Sequence, residues 1–577
     1  MKNPEVANRL NEIGDMLDIL GEDTFRVISY HRAARAVEAT TEDVEGLARQ
    51  GRLSEIPGVG SAIAEKIEEY VTTGRIGYHE ELRGKFPPGV LELLRVPGLG
   101  PKRVRVLWQE LGVTDLETLR KAAQTHRLQR VKGFGEKSEE KILRGIQLLE
   151  EGQARALLWD AAGVADVVIA YLKANSPVER IEAAGSLRRM RETVGDVDIL
   201  VVTKDHGAVG RAFTSMPGLR EVVQAGETKA TVIMEYTDWA EDRPRTIQVD
   251  LRILDAASWG AGLQYFTGSK DHNIRLRGMA QGQGLKLNEY GVFREDERIA
   301  GATEEGVYAA VGLPWIPPEM REDQGEIDAA KEGRLPRLIE PSDVRGDFHV
   351  HTNATDGVDT LEAMVGAARR RGYAYVGISD HSVSATVAFG LTAEQALARR
   401  DRFRAINREA DGFEVLFGTE CDILDGGELD YADEVLQEFD FVIASIHSKF
   451  TLEEREMTDR VVAAVENPYV NILGHPTTRL IGQRDPIQLD LEAVFAAAAK
   501  VGTAIEINAS PHRMDLTGFQ ARRAKELGCR LALATDSHSV GELEAMRFGI
   551  GTARRAWLTR EDLVNAWPVD EVRSFFR

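Results

Sequence analysis

The chain has 577 residues and a formal net charge of −21, from 72 basic and 93 acidic side chains. Its composition, 43% hydrophobic and 29% charged, is ordinary for globular proteins and excludes a disordered or collagen-like chain. The length excludes a single compact core and predicts about three or four domains. The apolar runs fall short of the roughly 18 residues of a membrane span, and the amino end lacks a signal core, so a cytoplasmic protein is expected.

Three Gly-x-Gly turns follow one another near the amino end, and each precedes a helical pattern. Such a turn directs backbone N–H groups and the positive helix end at one point, which suits a phosphate. Three helix-hairpin-helix elements beside a stretch with 11 basic and 7 acidic residues, 101–150, favour sequence-independent DNA binding. Plain helix-to-helix turns are the alternative. The predicted DNA contacts of the turns are Gly58, Gly60, Gly98, Gly100, Gly133 and Gly135.

The next segment, 151–255, has the alternating β-rich composition of an α/β module. Asp196 and Asp198 are two apart on a predicted strand, so both side chains leave one face, and Asp250 can join them from a neighbouring strand. Three converging carboxylates repel one another unless divalent ions bind. Two such ions can carry out phosphoryl transfer, and the turn 185–189 offers donors for a triphosphate.

A helix-rich piece, 256–318, follows the α/β module. The next residues, 319–341, are rich in proline and acidic side chains, and this composition predicts an exposed linker. A domain boundary is therefore expected near residue 340.

Beyond this boundary, seven short apolar runs end in polar residues, and helical stretches separate several of them. This pattern predicts a (β/α) barrel whose site lies at the carboxyl ends of the strands. Six histidines and three acids at those ends predict a multinuclear metal site, and mixed imidazole and carboxylate ligands suit Zn, Mn or Fe. The nine residues are His349, His351, Asp356, His381, Glu420, His447, His475, Asp536 and His538.

The motifs GSLRR, GDVDIL, VDLRI, YFTGS and LNEYGV resemble, in order, those of the family X DNA polymerases, the group that includes DNA polymerase beta. The resemblance covers about residues 1–318 and implies a nucleotidyltransferase palm that binds two Mg or Mn ions. It implies that Asp196 and Asp198 bind both metals and Asp250 the catalytic one. The further contacts that it implies are Ser186, Arg189 and Gly195 for the triphosphate, Tyr265, Phe266 and Gly268 for the sugar, Asn273 for the incoming base, and Arg277 for the template.

Three positions bear on how closely the beta type is followed. Val194 and Gln248 stand where beta-type members have a serine and an arginine, so triphosphate grip and activation of the 3′ hydroxyl are expected to differ. Lys66 matches the lysine that forms a Schiff base in the beta-type lyase domain. Its acidic sequence neighbours favour the protonated amine, so a phosphate-contacting or solvated lysine is the alternative.

The motifs HVH, SDH, GTE, SIH, GHP and TDSH resemble those of the PHP (polymerase and histidinol phosphatase) domain, with about three metal ions. Palm and PHP together resemble bacterial-type family X polymerases. The resemblance implies a monomeric DNA-directed DNA polymerase that fills short gaps in repair from dNTP and gapped or primer-template DNA. It also implies a 3′ to 5′ exonuclease in the PHP domain, with AP endonuclease and 3′-phosphatase activities left open. His512 and Arg513 are expected either to contact a substrate phosphate or to form a plain loop.

The expected fold is a multi-domain α/β protein with helical amino-terminal domains, an α+β palm with a thumb-like subdomain, and a distorted (β/α)7 PHP barrel. Two other functions stay open: a non-templated nucleotidyltransferase, and a DNA-binding assembly module whose barrel holds metal only for stability. The predicted domains are a lyase-like helix-hairpin-helix domain 1–80, a fingers-like helix-hairpin-helix domain 81–150, the palm 151–255, the nucleotide-selecting thumb-like subdomain 256–318, the linker 319–341 and the PHP domain 342–577.

Overall fold

The chain forms two compact units, residues 1–154 and 155–577. The structure is a computed structural model. Within the described ranges, no helix combines the length and the hydropathy that a bilayer crossing requires. The structure describes residues 2–40, 42–96, 99–131, 133–136, 138–139, 142–143, 145–146, 155–239, 243–409 and 412–576.

The first unit is built from helices around one hydrophobic core. Buried residues recur at helical spacing, such as Leu10, Ile13 and Leu17 on the first helix, so one face of that helix points inward. Two helices begin directly after Gly60 and Gly100, the last glycines of two predicted hairpin turns. The helices are α1 (Asn3–Leu20), α2 (Thr24–Ala39), α3 (Val44–Arg49), α4 (Ser61–Thr73), α5 (Gly77–Arg83), α6 (Pro101–Leu111) and α7 (Leu116–Gln124).

The second unit begins with an α/β region around a five-stranded sheet. Its elements are β1 (Ala156–Leu157), α8 (Leu158–Asn175), β2 (Arg180–Ala183), α9 (Gly185–Arg188), β3 (Thr193–Val194), β4 (Asp196–Val202), α10 (His206–Thr214), β5 (Leu219–Ala225), β6 (Lys229–Asp238) and β7 (Arg243–Leu254). The sheet has the order β2-β4-β7-β6-β5, and only β4 and β7 run parallel among these neighbours. Along β4, Val197, Ile199 and Val201 pack into the core with α8, so Asp196 and Asp198 leave the opposite face.

A thumb-like region of helices and a three-stranded antiparallel sheet follows the palm. Its core contains Leu276, Val292, Val307 and Tyr308, all buried. Its elements are α11 (Trp259–Thr267), α12 (Lys270–Gly282), β8 (Leu285–Asn288), β9 (Gly291–Arg294), β10 (Glu297–Ala300), α13 (Glu304–Ala310) and α14 (Glu326–Lys331).

The predicted exposure of the linker 319–341 is wrong for its first part, which packs into the thumb-like core, whereas residues 331–334 are exposed. Met320, Arg321 and Ile327 are buried there. Glu326 is also fully buried, since its carboxylate lies 2.6 Å from the His272 ring nitrogen and accepts backbone N–H groups. The acidic composition suggested solvent exposure, but each buried charge has a partner that offsets its desolvation.

The carboxyl-terminal part is a nearly closed barrel of seven parallel strands in sequence order. A bridge between Val350 and Ser537 joins its first and last strands, which confirms the predicted barrel. Its strands are β11 (Gly346–Asp347), β12 (Tyr375–Ile378), β13 (Glu414–Asp422), β14 (Phe441–Ser445), β15 (Ile472–Leu473), β16 (Ala504–Asn508) and β17 (Leu531–Ala534). Its helices are α15 (Leu361–Arg370), α16 (Ala393–Ala398), α17 (Arg400–Glu409), α18 (Asp433–Leu436), α19 (Glu454–Val465), α20 (Leu491–Val501), α21 (Gly518–Glu526), α22 (Met546–Arg555) and α23 (Val569–Phe575).

A buried carboxylate ties the palm to the thumb-like region. Glu304 accepts two hydrogen bonds from Arg188, at 2.8 and 2.9 Å, and also binds the fully buried Arg321. Burial alone would raise the pKa of Glu304, but the guanidinium groups of Arg321 and Arg188 outweigh it and lower that pKa to about 2. The carboxylate therefore stays ionised and stabilises the fold through both arginines.

We expect Glu304→Ala to lower the free energy of unfolding by about 3–5 kcal/mol, because it leaves the Arg321 cation buried without its partner. Urea unfolding at pH 7 measures this loss. The exposed neighbour provides a matched control, since Glu305→Ala should change the free energy by less than about 0.5 kcal/mol. A loss of similar size in both variants would contradict the role of Glu304.

The stabilisation by Glu304 also depends on pH. A carboxylate whose pKa is depressed in the folded state contributes fully above its unfolded pKa, near 4.5, and loses that contribution as the pH falls towards about 2. We therefore expect the stability gap between wild type and Glu304→Ala to narrow as the pH is lowered through this window. Unfolding curves at a series of pH values test the trend, and a gap that stays constant or widens would contradict it.

Candidate active sites

The hairpin glycines lie at exposed turns of the first unit. Gly58 and Gly133 have φ values of 90° and 94°, a left-handed conformation that favours glycine. At Gly60, Gly100 and Gly135 a Cβ atom would meet open space, so the approach to the backbone is clear. The remaining predicted contact, Gly98, lies outside the described residues.

Lys66 lies beside an aromatic ring and a second cation. Its Nζ donates to the carbonyl of Ala62 at 2.9 Å and lies 5.3 Å from the centre of the Tyr78 ring. Arg26 donates to the Tyr78 hydroxyl at 2.7 Å. The two cations close to this tyrosine suit an anion, while a lyase role for Lys66 stays a prediction.

The structure brings the three palm aspartates to one end of the sheet. Asp198 lies opposite Asp250 on the parallel strands β4 and β7, and Asp196 is two residues before Asp198 on the same face. Asp250 accepts hydrogen bonds from Thr231 and, at 3.0 Å, from Gln248. Gln248, which departs from the beta type, thus orients the Asp250 carboxylate.

The charges of these aspartates are not balanced within the palm. Burial, followed by the carboxylates of Asp196 and Asp250, raises the pKa of Asp198 to about 7. Lys229 is the nearest recorded cation, with its Nζ 4.0 Å from Asp250. This surplus of negative charge fits divalent cations.

A glycine turn packs directly against the aspartates. A Cβ atom at Gly185 would lie 2.6 Å from a carboxylate oxygen of Asp198, and the φ of Gly185 is 66°. Only glycine satisfies both constraints, which places Ser186 in the short helix α9 beside the carboxylates.

The predicted triphosphate contact Arg189 is engaged within the protein. It donates to Glu322 at 2.9 Å and to the carbonyl of Thr267 at 2.7 Å. Arg555 of the barrel donates to the same Glu322 oxygen at 3.0 Å and to the carbonyl of Arg189 at 2.9 Å. Arg189 is thus held by Glu322 and Thr267, and its contact with a triphosphate stays a prediction.

The predicted sugar and base contacts form one braced turn. Asn273 donates to the carbonyls of Tyr265 and Gly268, at 2.7 and 3.1 Å, and accepts from Gln264. Its amide is thus used to hold the turn, and a contact with a base stays a prediction. The rings of Tyr265 and Phe266 pack edge to face in this turn, with 5.2 Å between their centres. Arg277 donates to the backbone carbonyl of Asn273.

Sequence reasoning missed one cation beside the aspartates, Arg155. Arg155 donates twice to Thr193 and lies next to Gly195, where a Cβ atom would be 3.1 Å from its guanidinium. Burial, and then the neighbouring Arg191, lower the pKa of Arg155, whereas the Asp196 carboxylate raises it. Arg155 has no distinctive spacing in the sequence, so only the folded chain reveals its place beside Asp196.

All nine predicted barrel ligands lie together at the carboxyl ends of the strands. Glu420 is the centre of the cluster, with carboxylate oxygens 2.9 to 3.6 Å from nitrogens of five histidines. Asp356 lies 3.6 Å from His381 and 3.3 Å from His538, and Asp536 lies 3.3 Å from His351. Ligand atoms within 4.8 Å of one another form four groups, which are His351, Asp356, His381 and His538; His349, His351 and Asp536; His349, Glu420 and His475; and His381, Glu420 and His447.

Among the described residues these four groups are the sets that meet this distance, so the barrel ligands converge more closely than the palm aspartates. Together the groups contain the nine residues predicted from the sequence and no others. This clustering supports a shared site for several ions.

The barrel ligands fit metal ions by a second criterion: several of their buried atoms lie close to oppositely charged groups of the cluster but form no hydrogen bond. His351 is fully buried, and neither of its ring nitrogens has a hydrogen-bond partner. His349 Nε2, His381 Nδ1 and Glu420 Oε2 are also buried without one. Buried polar atoms normally have partners, so these atoms fit the coordination of cations.

The pKa values of the histidines also fit a cluster that binds cations. Burial lowers the pKa of His351 to about 4, helped by His538 and His381, so its imidazole is a neutral ligand. Burial also disfavours protonated His381, but Glu420 and Asp356 outweigh that effect and raise its pKa to about 10. The carboxylates therefore stabilise positive charge at the cluster, either a protonated histidine or a metal cation.

Two further acids orient the histidines and were missed. Glu506 lies 2.7 Å from His349 Nδ1, and Asp422 lies 3.0 Å from His447 Nδ1, so each fixes the ring of a ligand. Asp422 follows Glu420 by two residues on one strand, and this spacing was a usable signal. The predicted phosphate contact Arg513 lies with its Nε 3.2 Å from Asp536, while His512 packs on Trp239 of the palm at 4.4 Å.

Family models match four segments of the chain. These are a helix-hairpin-helix domain over residues 1–76, a SAM-like helix-hairpin-helix tandem over 90–147, a DNA polymerase beta thumb over 262–322 and a PHP domain over 347–510. The order of these models follows the predicted order of domains, although the exact boundaries stay predictions.

Relatives match the whole chain and each of its parts. A protein of Bacillus subtilis named DNA polymerase/3′-5′ exonuclease PolX is 35% identical over 579 residues, the full length of both chains. A probable phosphatase of Thermoanaerobacter is 28% identical over 243 residues, 40% of this chain and 94% of its own. DNA polymerase lambda of Rattus norvegicus is 24% identical over 344 residues, 56% of each chain. The fold is that of a polymerase joined to a PHP domain. The chain belongs to the bacterial family X DNA polymerases with a carboxyl-terminal PHP domain.

We expect Glu420→Ala to lower the metal content of the protein by at least one ion per chain, because Glu420 belongs to two of the four ligand groups. Metal analysis by mass spectrometry, after loading with Mn and desalting, measures this loss. Glu434→Ala, at an exposed acid of the same barrel, is the matched control and should retain the wild-type content. Equal metal content in all three proteins would remove Glu420 from the site.

Proposed function

We propose that this protein is a DNA-directed DNA polymerase that fills short gaps during repair and trims 3′ ends with a 3′ to 5′ exonuclease in its barrel. The observation that carries this proposal is the presence of two clusters of potential metal ligands in a single chain, the three palm aspartates and the nine histidines and acids of the barrel. The full-length similarity to a protein named DNA polymerase/3′-5′ exonuclease supports it.

The palm would hold two Mg or Mn ions on Asp196, Asp198 and Asp250. When bound, such ions activate the primer 3′ hydroxyl and neutralise the triphosphate and the leaving pyrophosphate. The protein orients Asp250 through Thr231 and Gln248, and it keeps the cation of Arg155 beside Asp196. We assign the triphosphate to this cationic side of the aspartates.

Residues of the turn and the thumb-like region would complete the nucleotide site. Ser186, Arg189 and Gly195 would bind the triphosphate, with Arg189 exchanging Glu322 for a phosphate oxygen. Tyr265, Phe266 and Gly268 would hold the sugar in the turn that Asn273 braces.

The barrel would hold about three Zn, Mn or Fe ions on its nine ligands. Bound ions of this kind supply a hydroxide nucleophile at neutral pH and withdraw charge from a phosphodiester. Glu506 and Asp422 keep the His349 and His447 rings in place. Arg513, whose Nε lies 3.2 Å from a carboxylate oxygen of Asp536, would bind a phosphate oxygen.

A phosphomonoester is a second candidate substrate of the barrel, since several relatives that match this part alone are named probable phosphatases. An AP endonuclease activity would use the same chemistry.

The hairpin turns would bind the phosphates of gapped or primer-template DNA. The second substrate would be dNTP, and the protein would act as a monomer. Templated synthesis predicts faster extension in a gap than on a single strand, whereas equal rates would favour a non-templated nucleotidyltransferase.

We expect Asp250→Ala to abolish synthesis and Asp536→Ala to abolish end degradation, because each removes a ligand from one cluster only. A DNA with a one-nucleotide gap and a 5′ phosphate, incubated with Mn or Mg with and without dNTP, separates the two reactions.

The exposed acids Asp296 and Asp459 provide controls for the two regions, and their alanine variants should keep both activities. Loss of both activities from either active-site substitution would contradict separate sites. Wild-type protein without nuclease activity, combined with a melting temperature that falls in Asp536→Ala, would favour a barrel that binds metal only for stability.

A further inference from the structure

An apolar rim flanks the barrel cluster on the solvent side. Val387 and Phe389, in the loop after β12, are 93% and 74% exposed, and Val358 is 78% exposed. Large apolar side chains on a free surface normally mark a binding surface when they are grouped around a site. We call these three residues the apolar rim.

Backbone hydrogen bonds attach one rim residue and the loop of the other two to ligand residues. The N–H of Val358 donates to the carbonyl of His538 at 2.7 Å, and the N–H of Leu391, two residues after Phe389, donates to the carbonyl of His381 at 2.9 Å. His381 and His538 both face Asp356. Val358 and the loop of Phe389 are therefore attached to two ligands of one group of the metal cluster.

The loop that carries Phe389 is held in place. Ser384 donates to Asp430 through its backbone N–H and its hydroxyl, at 2.7 and 2.6 Å, and Gly390 lies so close to Ser382 that a Cβ atom would be 1.8 Å from its carbonyl oxygen. Phe389 has a φ of 58°, an unusual conformation for a bulky residue. Such a backbone conformation persists only where the surrounding structure fixes it. The backbone of Phe389 is therefore held in place while its ring stays exposed to solvent.

The other aromatic rings at this mouth already have partners. Phe450 lies under the guanidinium of Arg484 at 4.1 Å, and His512 packs on Trp239 at 4.4 Å. Within the part of the chain that the structure describes, no ring or cation contact is recorded for Phe389. Its face is available to a ligand.

We propose that the apolar rim is a base-binding subsite, in which Phe389 stacks on the base of the 3′-terminal nucleotide while its phosphodiester lies at the metal cluster. This inference rests on the proposed exonuclease. A protein partner seated on the rim would also cover the approach to Asp356, whereas a base attached to the scissile phosphate reaches both places at once. Aromatic stacking accepts every base, which suits an enzyme that degrades any sequence.

The test compares two single-stranded oligonucleotides that differ only at the 3′ end, where one carries an ordinary nucleotide and the other a stable abasic residue. Wild type, Phe389→Ala and Phe389→Trp are assayed with Mn for kcat and KM. We expect Phe389→Ala to raise KM about tenfold for the ordinary end and to leave KM for the abasic end unchanged, while Phe389→Trp restores the wild-type value. Val387→Ala should also raise KM for the ordinary end, but by less. Val501→Ala is the control, because this exposed valine lies at the carboxyl-terminal end of α20, away from the ligands, and its KM should match wild type.

The outcomes separate the two proposals. If wild type degrades both oligonucleotides but Phe389→Ala changes KM for neither, or for both equally, the subsite is wrong and the exonuclease stands. If wild type degrades neither, the exonuclease is wrong and the subsite falls with it. A change of oligomeric state in Phe389→Ala on gel filtration, with KM unchanged, would assign the rim to a contact between copies and overturn the inference.

Discussion

The barrel depends on the attraction between one buried carboxylate and the histidines around it. Glu420 has almost no exposed surface, and five imidazoles face its two oxygens. Without cations, such a cluster leaves buried nitrogens unpaired, which is costly in a protein interior. The parallel strands must therefore be held in register tightly enough to keep the ligands together, and the bridge from Val350 to Ser537 that joins the ends of the sheet serves this need.

The palm uses the same physical principle with fewer ligands. Its aspartates repel one another, and the pKa of Asp198 reflects that repulsion. Thr231 and Gln248 hold Asp250 by hydrogen bonds that do not neutralise it. Both sites thus maintain an excess of negative charge where a cation and a phosphate can meet, and the two reactions differ in the groups that surround this charge.

Much of this arrangement could be predicted from the sequence, because periodicity places side chains on faces. Strand ends that each carry a histidine or an acid must meet at one mouth of a parallel barrel, and all nine barrel ligands do so. Contacts between distant segments could not be predicted in this way. The burial of Arg321 and Glu326 depends on partners such as Glu304 and His272, which no local pattern connects to them.

The same limit applies to the nucleotide site. Arg189 was found from its motif, but its bond to Glu322 and the approach of Arg555 depend on how the barrel packs against the palm. Arg155 was missed because a single arginine before a short strand has no distinctive pattern. Side chains that act through tertiary contacts need coordinates, whereas those fixed by strand alternation do not.

The shared carboxylate of Glu322 has an evolutionary consequence. It joins an arginine of the synthetic half to Arg555 of the degradative half, so the two halves cannot drift apart in sequence independently. A substitution at Arg555 selected for its effect on the barrel would alter the surroundings of Arg189, and exchange of the barrel between lineages would require a matching arginine at this place.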